Sequence, residues 1–372
     1  MVIRSPRRTN PITIILGALL TLGFLVFLFS PSTPSQAARE KHSKAATNPL
    51  SPPTSPFRKQ APLKNGARIP PPVVHYKMNN VTSTSNPLAN KEQILILTPL
   101  ARFYQEYWDN LLKLSYPHDL IALGFIIPKT REGNAATAAL QAAIATTQSG
   151  PEFLRFASIT IERQDFDPPL ADQDEATRHK MESQKVRRAS MSRARNSLLF
   201  TTIGPTTSWI LWLDSDIIET PPSLIQDLAS HDKPIIVPNC YQRYYNTDTK
   251  KKDIRPYDYN SWQDSAAAQK LAANMGPDDI LLEGYAEMAT YRTLMAHLAD
   301  KREDRDQARE MPLDGVGGTA LLVKADVHRD GAMFPPFPFY HLLETEGFAK
   351  MARRLGWQSW GLPNYFVYHY NE

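Results

Sequence analysis

The stretch Ser208-Trp-Ile-Leu-Trp-Leu-Asp-Ser-Asp-Ile-Ile-Glu-Thr220 decides how the rest of the chain is read. Residues 209–213 are apolar without interruption, the pattern of a strand buried on both faces. The run ends in two carboxylates, Asp214 and Asp216, separated only by Ser215, and Pro221-Pro222 then opens a helix expected over 223–229. Burying unpaired carboxylates is costly, so a pair at the end of such a strand calls for a compensating cation or for hydrogen-bond donors. A divalent metal meets that need, because hard cations take oxygen ligands and keep positions open for phosphates. Two acids at this spacing are common in any chain, and hydrated acids at a strand end are the plain alternative. The apolar lead-in favours the metal.

Working outward, strands and helices alternate. Strands are expected over 93–100 (breaking at Pro99), 120–127, 156–161, 209–213 and 234–238, with helices over 104–114, 135–147 and 176–203. Repeated β-α-β units imply an α/β domain, a mostly parallel sheet flanked by helices. Ligands in such sheets bind at the carboxyl ends of strands, which puts Thr98 and Pro99 on one rim with Asp214 and Asp216. Neither G-x-G-x-x-G nor a P-loop occurs, so the dinucleotide and NTPase readings lack their fingerprints.

The 42 basic and 38 acidic residues of the 372 leave a net charge of only +4, which gives no case for nucleic acid. Arg4, Arg7 and Arg8 precede an apolar run over 12–29, roughly 27 Å as a helix. It reads as an uncleaved signal anchor with residues 1–11 cytosolic, although Arg39, Lys41 and Lys44 weaken the orientation signal. Residues 30–90, rich in Pro, Ser and Thr, read as a stem that is removable without loss of turnover; 91–372 is the folded domain. Asn80-Val81-Thr82 is a glycosylation sequon, and Cys240 is the sole cysteine, so no intrachain disulfide exists.

The helix before the acidic strand carries Arg187, Arg188, Arg193 and Arg195. The first two are expected on a solvated face, whereas Arg193 or Arg195 lies near enough to the next strand to meet a diphosphate. Downstream, Asp314 sits beside permissive glycines, a strand is expected over 319–323, and Glu344 and Glu346 introduce a helix. His369 ends the last apolar run; a lone histidine there is usually a core residue, but the two carboxylates want a third ligand.

From Gln93 onward the chain resembles the fungal mannan polymerase family of Golgi mannosyltransferases (glycosyltransferase family sixty-two). The resemblance rests on ILTPL at 96–100, SMSRARNSLL at 190–199, SWILWLDSDIIETPPSLI at 208–225, PIIVPNCY at 234–241, ETEGFAKMA at 344–352 and GLPNYFVYH at 361–369. It implies a GT-A fold in a single lumenal domain, a GDP-mannose donor, Mn2+ as cofactor, and retaining transfer that builds the α-1,6-linked mannan backbone of N-glycans. A single-pass type II Golgi membrane location and a hetero-complex with related mannosyltransferases are implied as well. Asp214 and Asp216 then match the family's D-x-D, with Asp216 on the metal and Asp214 on the ribose or a metal-bound water. His369 matches the metal-binding histidine. Thr98, Pro99 and Leu100 hold the nucleotide, and Arg193 or Arg195 stands near the phosphates. Asp314, Glu344 and Glu346 remain unranked candidates for contacts to the acceptor or to the face of the sugar opposite the leaving group. Two rival classes stand beside the transferase: a non-catalytic or weakly catalytic subunit that scaffolds a mannan polymerase complex, and a metal-dependent hydrolase.

Overall fold

The computed structural model describes residues 73–166, 181–285 and 288–371. The apolar run over 12–29 and most of the expected stem lie outside them, and among the described residues no helix is long and apolar enough to cross a membrane.

The first half is a series of β-α units. Its elements are β1 (Gln93–Pro99), α1 (Gln105–Leu112), β2 (Ile121–Ile127), α2 (Arg131–Ser149), β3 (Ser158–Arg163), α3 (Met181–Thr202) and β4 (Thr207–Leu213). The four strands pair in parallel in the order β3-β2-β1-β4. Thr130 starts α2 by accepting the Gly133 N–H at 3.1 Å, satisfying a donor the helix leaves open. Each helix therefore starts and stops close to the expectation; α3 is described from Met181, and residues 176–180 lie outside the described set.

The second half adds β5 (Ile217–Glu219), α4 (Leu224–Ser230), β6 (Ile235–Asn246), β7 (Lys251–Pro256), β8 (Trp262–Gln263), α5 (Ala266–Ala273), β9 (Thr293–Leu294), β10 (Met311–Leu313), β11 (Ala320–Lys324), α6 (Ala325–Arg329), α7 (Glu344–Arg354) and β12 (Ser359–His369). The strand expected over 319–323 is β11, wedged antiparallel between β4 and β6. The strand expected over 234–238 runs on to Asn246 as β6 and pairs in parallel with β12. The ten-stranded sheet reads β10-β12-β6-β11-β4-β1-β2-β3, with β5 added to β12 and β7 to β6. Six of these strands, β3, β2, β1, β4, β6 and β12, share one direction. This is the mostly parallel, helix-flanked α/β sheet expected.

Alternation explains the uninterrupted apolar runs. Ile94, Ile96, Trp209, Leu211 and Leu213 pack on one face of the sheet, and Leu95, Leu97, Ile210 and Trp212 on the other. Both faces are covered, so neither set has a polar position to fill.

Ordered packing begins before Glu92, inside the stretch read as stem. The buried Glu92 carboxylate accepts from Thr82 Oγ1 (2.9 Å), from the Thr84 N–H (3.0 Å) and from Trp209 Nε1 (2.9 Å). Ser83 Oγ donates to the Ser208 carbonyl at 2.6 Å, and Tyr116 Oη to that of Pro87 at 3.0 Å. A chain that starts at Lys91 is therefore expected to be less stable than one that starts at Val73, by roughly 4 kcal/mol at about 1 kcal/mol per hydrogen bond lost. Denaturant unfolding of the two truncations measures it; equal midpoints would show that these contacts add nothing.

Candidate functional site

The site begins where β4 ends. Leu97 pairs with Trp212, so the carboxyl ends of β1 and β4 form one rim. The Asp214 N–H donates to the Thr319 carbonyl (3.0 Å), and the Ile217 N–H turns back onto the Asp214 carbonyl (3.1 Å). That tight turn carries Asp214 and Asp216 off the strand and into β5. There β12 arrives: His369 pairs with Ile217, and the Tyr370 N–H donates to the Asp216 carbonyl at 2.7 Å.

His369 Nε2 consequently lies 2.9 Å from Asp216 Oδ2. Its Nδ1 donates to the Tyr370 carbonyl (2.6 Å), and the Tyr257 ring stacks on it at 3.6 Å. With Nδ1 so engaged, a neutral imidazole turns the Nε2 lone pair toward the site. The approach to Oδ2 has ion-pair length but lacks the alignment of a hydrogen bond, leaving the buried Nε2 without one. A lone pair facing a carboxylate needs a positive charge beside it, which a proton on Nε2 or a bound cation supplies. Burial alone would lower the imidazole pKa, but Asp216, the Tyr370 carbonyl and Asp214 together raise it. Imidazole nitrogen beside a carboxylate oxygen is a donor set that suits manganese or a similar divalent ion. Among the described residues no three His, Cys, Asp or Glu side chains form a complete cage. A two-residue holder is nevertheless what a cation shared with substrate phosphates requires.

Asp214 faces the other way. Its Oδ1 pairs with Arg195 Nη2 at 2.9 Å, and Arg195 Nε pairs with Glu344 Oε1 at 3.2 Å. The guanidinium, only 3% exposed, rests against the rings of Trp212 and Phe334, whose centroids lie 5.4 and 5.7 Å away. Burial pushes the Asp214 carboxyl up to about 6; Arg195 opposes this, and Asp216 and Glu344 add to it. Gly318 makes the approach possible, since a Cβ there would stand 2.7 Å from Arg195 Nη2 and 2.8 Å from Thr345 Cγ2. Of the two arginines left open by the sequence, Arg195 is thus the one at the acids, with its Nη2 and Nε each engaged by a carboxylate. Arg193 is exposed and lines a separate cavity of about 280 Å³ with Lys185, Val186 and Pro336.

The remaining candidates stand apart from one another. Thr98 is buried, its hydroxyl sharing a 2.6 Å hydrogen bond with Tyr107 Oη, Leu100 is buried, and Pro99 is half-buried. Asp314 Oδ2 accepts the Asp264 N–H at 2.9 Å, and the Asp314 N–H donates to the Trp262 carbonyl, so it braces β8. Glu346, two residues beyond Glu344, is fully buried: it accepts from Trp262 Nε1 (2.8 Å) and pairs with Arg188. The solvated face expected for Arg188 is therefore corrected. Its guanidinium is almost fully covered, held by Glu346 and by Asn260 Oδ1 at 3.1 Å, because α7 packs on α3 at that point.

Asp258 escaped the sequence reading altogether. It is buried, accepts the Asn260 N–H at 2.9 Å, and lies so close to Gly317 that no Cβ fits between them. Burial pushes its carboxyl up to about 6. The one signal was local: P-Y-D-Y-N at 256–260 puts an acid among aromatics, directly after Tyr257's neighbour Pro256 ends β7.

A family model described as Anp1 matches residues 72–338. The mannan polymerase complex subunit MNN9 of Candida albicans is 55% identical over 81% of this chain and 80% of its own length. The subunit mnn9 of Schizosaccharomyces pombe is also 55% identical, over 80% of this chain and 86% of its own. The mannan polymerase I complex VAN1 subunit of Saccharomyces cerevisiae is 33% identical over 81% of this chain and 64% of its own. Among solved structures, a mannosyltransferase from Pyrobaculum calidifontis in complex with GDP-Man and Mn2+ aligns at a TM-score of 0.39 and 11% identity, over 78% of this chain and 59% of that one.

Two outcomes are expected. Glu346→Ala leaves the Arg188 charge buried without its partner and should cost about 3–5 kcal/mol of stability in chemical denaturation; an unchanged midpoint would release Glu346 for contact with a ligand. Asp258 binds its proton more tightly folded than at the unfolded value of about 3.9. Its contribution is therefore most favourable below pH ~4, declines as pH rises to about 6, and is flat above. Asp258→Asn should remove that decline, worth ~2–3 kcal/mol across the window, as read from unfolding free energies at pH 4 and pH 7.

Proposed function

This chain belongs to the Anp1 family, and on that premise we propose that it is a metal-assisted mannosyltransferase that uses GDP-mannose to extend an α-linked mannan chain. The observation that carries the reading is the meeting of Asp216 and His369 at one rim of the sheet, with the buried Nε2 lacking an aligned hydrogen bond. The relatives' names support the sugar: proteins named as mannan polymerase subunits share more than half of the aligned residues. A polymer of mannose requires an activated mannose donor, and GDP-mannose with retention and an α-1,6 linkage is what the family resemblance implies. Asp216 and His369 would hold Mn2+, which supplies the charge that a departing diphosphate needs as the sugar–phosphate bond breaks.

The protein's own groups do the rest. Arg195 keeps Asp214 oriented through its 2.9 Å contact, so the first acid of D-S-D stays off the ion and free for the donor. The Tyr257 ring and the Tyr370 carbonyl fix the His369 ring. The Tyr104 and Tyr370 rings, 4.8 Å apart, add an aromatic surface beside β1 where a nucleotide base can lie. Thr98, buried against Tyr107, would act by supporting this wall and not through its own hydroxyl. The run over 12–29 would tether the domain to the Golgi membrane with the catalytic part lumenal, in a hetero-complex with related chains, as the relatives named for complexes suggest.

Asp216→Ala should lower mannose transfer from GDP-mannose by at least ~10²-fold while the melting temperature stays within a few degrees. His369→Ala should raise the Mn2+ concentration needed for half-maximal transfer. A donor screen of the purified chain against several nucleotide sugars, with and without Mn2+, measures both; full activity of Asp216→Ala removes the metal role, and release of free mannose without chain extension favours a hydrolase.

A further inference from the structure

The sheet continues past the rim on one side. The last pairing of β12 with β6 is His369 opposite Gln242, yet β6 runs on to Asn246 with β7 as its strand neighbour. From Gln242 to Asn246 this two-stranded ribbon covers about 14 Å at the rise of an extended strand. A ribbon of two strands has no core of its own and is marginal in water unless its faces are tied or covered.

Side chains alternate between its two faces, and the faces differ. One carries Arg243 and Tyr245, with Ile254 and Lys252 opposite them. There Arg243 donates to both Glu219 oxygens (2.8 and 2.7 Å) and lies 3.7 Å from the centroid of the Tyr368 ring, while Tyr245 is exposed. The other face holds three cross-strand rows: Gln242 with Arg255, Tyr244 with Asp253, and Asn246 with Lys251. These rows are joined to one another. Arg255 Nε donates to Gln242 Oε1 at 2.8 Å, its guanidinium stands 5.4 Å from the centroid of the Tyr244 ring, and Tyr244 Oη donates to Asp253 Oδ2 at 3.3 Å.

This second face is continuous with the candidate site. Gln242 stands opposite His369 and its Nε2 donates to the Tyr370 carbonyl at 2.7 Å; Tyr257, two residues beyond Arg255, is the ring stacked on that imidazole. Flat groups set among amide and carboxylate edges suit a pyranose. Its C–H face packs on rings and guanidinium planes, and its hydroxyls meet the polar edges. An anionic partner would meet Asp253 in the middle row. The lysines gather instead at 250–252, by the turn and on β7, where charged side chains keep an unpaired edge from adding another strand.

We propose that this face of the β6–β7 ribbon binds the part of an α-linked mannan chain that is already built, behind the unit being extended. Arg255 and Tyr244 supply the flat surface, and Gln242 links it to the rim. The protein therefore discriminates among acceptors by their length and keeps hold of its product between additions. This inference rests on the proposed extension of mannan, and its test separates the two.

The test is equilibrium binding of mannose and of α-linked oligomannosides of increasing length to the full chain, without nucleotide or metal. Transfer assays with the same acceptors follow. One charge-assisted hydrogen bond is worth about 10-fold in affinity, so the longest oligomannoside should bind at least ~10-fold more tightly than mannose. Arg255→Ala and Tyr244→Ala should flatten that dependence on length and raise the KM of the long acceptor by about as much. Tyr245→Ala, on the opposite face, should change neither, and melting curves establish that all three variants fold. A length dependence that survives in Arg255→Ala and Tyr244→Ala overturns the inference, as does an equal loss in Tyr245→Ala. Retention on anionic phospholipid vesicles with no dependence on sugar length would give the face to a membrane and overturn it too. If oligomannosides bind no better than mannose while transfer proceeds, the inference falls and the proposed function stands. Length-dependent binding by a chain that transfers no mannose has the reverse result.

Discussion

Two carboxylates standing at the end of a strand buried on both faces are the constraint on which the rest of this domain turns. The strand β4 is buried along its whole length and apolar from Trp209 on, and Asp214 and Asp216 emerge from it half-buried at the rim. The protein answers each acid separately. Asp216 meets an imidazole at 2.9 Å and Asp214 a guanidinium at 2.9 Å. The two partners come from opposite sides of the rim, His369 from β12 and Arg195 from α3. Folding of the second half is thereby coupled to the rim of the first, because without β12 in place Asp216 would lose its imidazole partner.

The same logic repeats at the start of α7. Glu344 and Glu346 are two residues apart, yet one is partly exposed and bridged to the site through Arg195, and the other is sealed against Arg188 and Trp262. The inner pair anchors the start of α7 on α3, and the outer pair inherits a fixed position from it. Arg292 extends the inner network by lying over the Trp262 ring at 3.5 Å and pairing with Glu283 and Asp264. A buried ion pair of this kind contributes little net stability compared with an apolar replacement, but it punishes any arrangement that separates the partners. The result is a tightly paired floor beneath the acids of the rim.

Much of this was legible in the residues themselves. The uninterrupted run over 209–213 marked β4, and alternating apolar runs marked the β-α units before it, because a strand covered on both faces admits only apolar side chains. Asp214, Asp216 and His369 were readable as a site for a similar reason: polar groups at the ends of such runs are exceptions that need a partner. Arg188 was misread, since a basic residue on a helix looks the same in sequence whether its face meets water or another helix. Asp258 left almost no trace, because its burial depends on Gly317 passing close by in the connection between β10 and β11.

The chain's order of side chains by itself determined the sheet, its mostly parallel direction and the place of the two acids at its rim, since these follow from local periodicity and the cost of burying charge. Only the tertiary structure decided which arginine meets which acid. Arg193 and Arg195 differ by two positions on one helix, roughly 200° around its axis, and packing of α7 against α3 gave the buried position to Arg195. Glu344 and Glu346 were likewise equivalent in sequence and were separated by which of them the Trp262 indole could reach. Choices of that kind depend on contacts between segments far apart in the chain, and local sequence carries no record of them.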